Sequence, residues 1–422
     1  MSVMAEDAVE KPSWMTREFL EDVLQSRHEY SDVVVENIKV QLAVGKGDNY
    51  TSLLYRVLVE FRRRTKEIKD GDELENISLI IKGLSSVDIM AKFIIEANIF
   101  ERETSMYFIT IPRMLQLLQE KLPDRAVPQL TALFYKTSRP HTLVLEDLTT
   151  LGFKMADRKT RMDLPHCEIA LKSLARFHAM SVALYDKDPK SMDPYVENMY
   201  IEKNRVNMVN FLKAAMEALG NVVAKWEGFE KYEAKLKDIT PKMWDRLTEL
   251  VTPKKDALSV LNHGDCWVNN MMFHYRATGE PDEVRFVDFQ MMRFSSPALD
   301  LQYFVYSSPS EDVRSQHTDH LLQVYHKELS DTLKILQCDR PEFTVDVLKK
   351  EFDDRSFFGF VTACTLLGAV VAEPTEAFDM ENLNEDGSNL DAKSIEKTYS
   401  GSRYECAFRQ LLPHFETKGV FT

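Results

Sequence analysis

Leu261-Asn262-His263-Gly264-Asp265-Cys266-Trp267-Val268-Asn269-Asn270, followed by the apolar run Val284-Arg285-Phe286-Val287 that ends at Asp288, holds an aspartate, an amide and a second aspartate where short strands would bring them together. Those side chains suit phosphoryl transfer, which needs a carboxylate to orient and deprotonate a hydroxyl, and oxygen ligands to hold magnesium on a triphosphate. In this reading Asp265 is the catalytic base. Asn270 and Asp288 are hard oxygen ligands for magnesium, which typically takes one or two protein carboxylates beside phosphate oxygens and water. His263 reads as a brace for this loop; as half of a metal site with Asp265 it would need further ligands, and the sequence nominates none. Cys266 and Trp267 read as loop packing, because a nucleophilic thiol would need a base that the sequence does not identify.

The elements that must position these groups follow from periodicity. Asp32 to Val44 alternates with Ile38, Val40, Leu42 and Val44 on one side, and Leu53 to Phe61 alternates again, which predicts two half-buried strands. The loop between them, Gly45-Lys46-Gly47-Asp48-Asn49-Tyr50-Thr51-Ser52, reads either as a cover for phosphate oxygens, with Gly45, Gly47, Asn49 and Ser52 contributing, or as a plain hairpin turn. A third strand, Ile77 to Ile81, ends at Lys82, the natural cation for α and β phosphates. Glu103, on a helical stretch Val87 to Gln119 that Pro112 divides, is its natural partner, although either residue alone would pass for surface charge. Strands at Leu133 to Tyr135 and Thr142 to Glu146 complete a five-stranded antiparallel sheet. Leu145-Glu146-Asp147-Leu148, containing Glu146 and Leu148, is where an adenine ring would meet backbone hydrogen-bonding groups, or else an edge strand with an acidic end.

Beyond Asp147 the pattern becomes helical, with helices expected at His166 to Tyr185, Tyr200 to Leu219 and Lys231 to Leu250, and a hairpin from Met271 to Val287. His178 reads as a satisfied buried histidine. Asp300 would cap its helix or tie that helix to the catalytic loop, the second being the role favoured by the family resemblance given below. The uncharged stretch Ser356 to Ala372 falls short of a membrane span and reads as a buried helix, and Ala377 to Ser394 as a mobile acidic loop. Residues 186 to 257, with Trp226, and 357 to 371 are expected to shape an acceptor pocket.

The 422 residues suffice for two lobes, and 67 acidic against 53 basic side chains give a formal charge of −14 that disfavours nucleic acid and anionic membranes as partners. Five scattered cysteines cannot complete a disulfide framework, and no secretory signal is visible, so the cytoplasm is the expected compartment.

These residues resemble the CHK kinase-like group, and most closely the ecdysteroid kinase-like family, relatives of the aminoglycoside phosphotransferases and choline kinases. The resemblance spans roughly residues 30 to 340. It implies an α+β, two-lobed protein-kinase-like fold, with a small antiparallel sheet lobe and a larger, mostly helical lobe. The boundaries are an N-terminal extension at 1–30, a nucleotide-binding lobe at 31–146 and a catalytic, acceptor-binding lobe at 147–422. It further implies that Gly45 to Ser52 is the nucleotide loop, Lys82 the phosphate-binding lysine, Glu103 its helix partner and Leu145 to Leu148 the hinge. His263 to Asn270 would be the catalytic loop and Asp288 the metal aspartate, with ATP and magnesium as cofactors. The implied acceptor is a hydroxyl of a lipophilic small molecule, ecdysteroid-like or xenobiotic, with no protein partner and no membrane span. Gln290 stands where protein kinases place the glycine of their DFG motif, which argues against a protein substrate. A nucleotide-binding protein without turnover is the alternative.

Overall fold

The computed structural model describes residues 11–43, 52–63, 74–84, 98–196, 199–371 and 392–422. Contacts divide the chain into two compact units, Met1–Ile109 with Thr131–Phe153, and Thr110–Leu130 with Lys154–Thr422.

The first unit is built on a five-stranded antiparallel sheet of β1 (Val33–Leu42), β2 (Ser52–Arg63), β3 (Glu75–Leu84), β4 (Phe134–Tyr135) and β5 (Thr142–Glu146), ordered β1-β2-β3-β5-β4. Alternation buries Tyr55, Val57, Val59 and Phe61 of β2 and Leu79 and Ile81 of β3 on one face. In β1 the core positions change parity, from Val33 and Val35 to the partly buried Ile38 and Val40, because a bulge between Val35 and Asn37 inserts one residue. That bulge is absent from the simple alternation, and Leu42 ends up exposed. Helix α1 (Arg17–Gln25), N-capped by Thr16, lays Leu20, Val23 and Leu24 on the same core face. Residues 15–24 are therefore part of this unit's core.

Helix α2 (Ile99–Ser105) leads into a π-helical turn, Met106–Thr110, and then α3 (Ile111–Lys121). Pro112 sits in the first turn of α3, where its missing N–H leaves little unsatisfied, and the widened turn before it makes the division expected of the proline.

The second unit is mostly helical. Its long helix α4 (Leu164–Lys187), capped by Asp163, packs along α9 (Glu311–Leu336). Helix α5 (Arg205–Val223) follows, then α6 (Lys231–Ile239) and α7 (Met243–Val251). The single helix expected from Lys231 to Leu250 is broken by a 3-10 turn at Thr240–Lys242, where Pro241 cannot donate. Small sheets pair β7 (Val260–Asn262) with β10 (Arg293–Ser295), and β6 (Lys154–Met155), β8 (Met271–Tyr275) and β9 (Pro281–Phe286) with one another. Helices α8 (Ala298–Ser307), α10 (Val345–Asp354), α11 (Ser356–Val371), α12 (Ala392–Tyr399) and α13 (Ser402–Thr417) complete it.

Helix α11 is buried almost throughout, and among the described residues no single helix is long and apolar enough to cross a membrane. Gly359 is required there by close packing: a Cβ would lie 1.9 Å from Gln302 Oε1. Of the acidic stretch Ala377 to Ser394, residues 377–391 lie outside the described residues, and 392–394 open α12 instead of a loop.

Candidate functional site

Strand β7 carries the chain into a tight turn at Gly264, whose φ of +83° is a conformation that side chains resist. A Cβ there would also sit 1.9 Å from the Met291 carbonyl oxygen. Gly264→Ala is therefore expected to cost more than about 2 kcal/mol and to impair the loop chemistry, read as a lowered urea midpoint.

After Gly264 the chain turns through Asp265 into a 3-10 turn, Val268–Asn270, and then β8. Asn270 Nδ2 donates to the Asp265 carbonyl at 2.9 Å and to Asp265 Oδ2 at 2.8 Å, while the Tyr303 hydroxyl donates to Asp265 Oδ1 at 2.5 Å. Both carboxylate oxygens are thus held by hydrogen-bond donors. Because the Asn270 amide nitrogen is spent on Asp265, its Oδ1 is the end available to a cation.

Backbone bonds bring Asp288 to the same place. The Val287 N–H donates to the Asn270 carbonyl at 3.0 Å, and His263 Nε2 donates to the Val287 carbonyl at 3.1 Å. Asp288 then adopts a φ of +65°, sparse for a side-chain-bearing residue and a form of strain that clusters at functional sites. Gln290 Nε2 donates to Asp288 Oδ2 at 3.2 Å. Burial, and secondarily the Asp288 charge, push the Asp265 carboxyl up to about 6.

Both ring nitrogens of His263 serve the backbone, since Nδ1 accepts from the Asp265 N–H at 3.3 Å. Burial holds its pKa down, which keeps the ring neutral and suited to one donor and one acceptor role. His263 is thus a positioning residue. The Cys266 thiol is buried and pushed well up by that burial, so it is no nucleophile.

Asp300, on α8, accepts from the backbone N–H groups of His263 at 2.6 Å and Gly264 at 2.9 Å, so it ties its helix to the loop. His178 Nε2 lies 3.1 Å from its Oδ2, and His178 Nδ1 lies 2.7 Å from the Tyr325 hydroxyl. Burial pushes the Asp300 carboxyl up, but the His178 bond and charge and the Gly264 N–H outweigh it and hold the group below the ordinary aspartate range.

In the first unit, Lys82 Nζ donates to Glu103 Oε2 at 2.9 Å, with 7% and 1% of the two side chains exposed. That burial excludes the surface-charge reading. Glu146 Oε2 accepts from the Leu133 N–H at 3.3 Å and braces β4 against β5, while Leu148 is buried in a 3-10 turn capped by Asp147. Asp147 itself is held by Arg56 and Ser78, an arrangement the sequence did not disclose. Gly45, Gly47 and Asn49 lie outside the described residues, and Ser52 begins β2.

Three residues beside the loop escaped sequence reasoning. Tyr303 sits one helical turn beyond Asp300, a spacing that could have flagged it. Arg293 Nη2 donates to the Gly264 carbonyl at 3.2 Å from a three-residue strand, and Asn262 Oδ1 accepts the Asp300 N–H at 3.1 Å.

Among the described residues, no cluster of three or more His, Cys, Asp or Glu side chains could cage a metal. The donor set of Asn270 Oδ1 and the Asp288 carboxylate instead fits magnesium, which keeps ligands from phosphate and water.

The sequence profile of the ecdysteroid kinase-like family matches residues 46–338, more than half of the chain. A search of curated proteins found no match. Among solved structures, an ethanolamine kinase from Plasmodium vivax aligns over 92% of this chain and 85% of its own at 13% identity, with a TM-score of 0.42. A choline kinase from Cryptosporidium parvum aligns over 96% and 98% at 11% identity, with a TM-score of 0.47. An aminoglycoside 2'-phosphotransferase in complex with GDP aligns over 96% and 100% at 12% identity, with a TM-score of 0.43. Its sheet unit and its helical unit make up an α+β, protein-kinase-like fold, and the chain belongs to the ecdysteroid kinase-like family of small-molecule kinases.

Proposed function

We propose that this protein transfers the γ-phosphoryl group of ATP to a hydroxyl of a lipophilic small molecule, ecdysteroid-like or a hydroxylated foreign compound. The observation that carries the proposal is Asp265, a carboxylate fixed by Tyr303 and Asn270 beside the oxygen pair of Asn270 and Asp288. Asp265 takes the acceptor's hydroxyl proton as the oxygen attacks, a role worth about 10²–10⁴ in rate. Asn270 and Asp288 would hold magnesium, which would neutralise charge on the phosphates. In the first unit the buried Lys82, oriented by Glu103, binds nucleotide phosphates, and Leu145 to Leu148 serves the adenine. Gly45, Gly47, Asn49 and Ser52 are assigned to the same nucleotide-binding role. The free cysteines Cys167, Cys266, Cys338, Cys364 and Cys406 accord with a reducing, cytoplasmic setting.

Incubation with magnesium, ATP and a panel of hydroxylated steroids and hydroxylated foreign compounds, followed by mass spectrometry, tests the proposal. A phosphomonoester of at least one member is expected. Nucleotide binding with no phosphorylated product would make this a binding protein without turnover.

The raised pKa of Asp265 gives a pH dependence. A base must be ionised, so kcat/KM is expected to be flat above neutrality and to fall about tenfold per pH unit once the pH drops through about 6. A pH–rate profile level down to pH 4 would contradict the assignment.

A further inference from the structure

Beside the catalytic loop lies a guanidinium whose hydrogen-bonding capacity is mostly unused. Arg293 is paired across β7–β10 with Asn262, two residues before Gly264, and it is only 3% exposed. Nη2 donates to the Gly264 carbonyl, whereas Nε and Nη1 have no hydrogen-bond partner among the described residues, and no carboxylate there forms an ion pair with it. A buried donor left unpaired is costly, and a buried cation without an anion more so; native proteins seldom keep one without a reason.

The surroundings are aromatic. The guanidinium carbon lies 5.7 Å from the Tyr200 ring centroid and 5.4 Å from that of Phe358, and Tyr200 in turn packs 6.3 Å from Trp244. Such a box of rings is what a quaternary or primary ammonium group would require. Here the cationic seat is already filled by Arg293. The cluster also reaches the base, because the Tyr303 hydroxyl that holds Asp265 feels the charge of Arg293. Tyr200 and Tyr303 are its partly exposed members.

We propose that Arg293 anchors the acceptor by donating from one of its unpaired groups, Nε or Nη1, to a carbonyl or carboxylate oxygen of the alcohol, and that it excludes cationic alcohols. The inference rests on the kinase reading for its setting, and it adds the acceptor's chemistry: neutral or anionic, with an sp² oxygen remote from the reacting hydroxyl. Choline and ethanolamine are the wrong charge for this site.

Calorimetric titration of the full chain separates the possibilities without requiring turnover. The probes are a polyhydroxylated steroid ketone, the same steroid lacking the ketone, a hydroxylated steroid carboxylate, and choline. The wild type is expected to bind the ketone and the carboxylate about 10-fold or more tighter than the deoxo steroid and to give no heat with choline. Arg293→Met is expected to bring the ketone-to-deoxo ratio close to one, and Arg293→Lys to retain part of the carboxylate preference only. A general packing defect would weaken all steroids alike and leave that ratio unchanged, which would overturn the assignment. Choline binding as tight as the steroids, no binding of any probe, or no ketone preference in the wild type would overturn it even if the variants fail to fold. Ketone-steroid binding that never leads to phosphorylation would defeat the proposed function and leave the Arg293 assignment standing.

Discussion

Replacing Asp265 by asparagine is expected to slow phosphoryl transfer by about 10²–10⁴-fold while nucleotide affinity stays within about twofold. Asparagine keeps the shape of the side chain and can still meet Asn270 and Tyr303, whose hydroxyl can rotate to accept. It cannot take a proton from an attacking alcohol. Stability supplies the control. The Asp265 carboxyl has a folded-state pKa of about 6, above the ordinary 3.8, so folding favours its protonated form, and that advantage is lost as pH rises through about 6. At neutral pH the ionised group, next to Asp288, therefore works against the fold. Asp265→Asn should melt no lower than the wild type at pH 7.5. Loss of activity with undiminished stability is the signature of a group kept for chemistry, whereas near-normal activity would remove Asp265 as the base.

Asp300→Ala is expected to have the opposite character, lowering stability by about 3–5 kcal/mol in urea titration, with activity lost alongside. The carboxylate accepts the N–H groups of His263 and Gly264 and faces His178, all buried. Truncation strands two backbone donors and an imidazole, and each stranded group costs about 1–3 kcal/mol. The sign with pH follows from its lowered pKa: the stabilisation is complete above the ordinary aspartate value and fades as pH falls through the lower folded value. A variant within about 1 kcal/mol of wild type would show that Asp300 does not hold the loop.

The parts of this architecture with a local period were legible from sequence. Alternation at Tyr55 to Phe61 and the apolar strand ending at Lys82 predicted the sheet, and the structure has it with five antiparallel strands. The run from His263 to Asn270 and the aspartate after Val287 were legible because polar residues at fixed spacing interrupt buried strands. What escaped notice depends on contacts between distant segments. Tyr303 meets Asp265 from a helix that reads as apolar, and Arg293 lies between Met292 and Phe294 with nothing local to distinguish it from an edge-strand charge. The bulge between Val35 and Asn37 could be read only as a change of parity, and Pro241 broke a helix that amphipathic spacing alone would have continued. Of the segments expected to shape an acceptor pocket, Tyr200 and Phe358 do meet around Arg293, whereas Trp226 packs against Phe229 and Arg409.

The central claim is that an alcohol oxygen of the acceptor attacks the γ-phosphorus of ATP with Asp265 as base. Reaction of the wild type with magnesium and ATP labelled with oxygen-18 throughout its γ-phosphoryl group, in the presence of a hydroxylated steroid ketone, tests it most directly by mass spectrometry of the products. The account predicts a steroid phosphomonoester that carries the labelled nonbridging oxygens and an unlabelled bridging oxygen, and that is reduced to trace levels with Asp265→Asn. Labelled inorganic phosphate with no steroid ester, or an ester formed equally well by the variant, would contradict it.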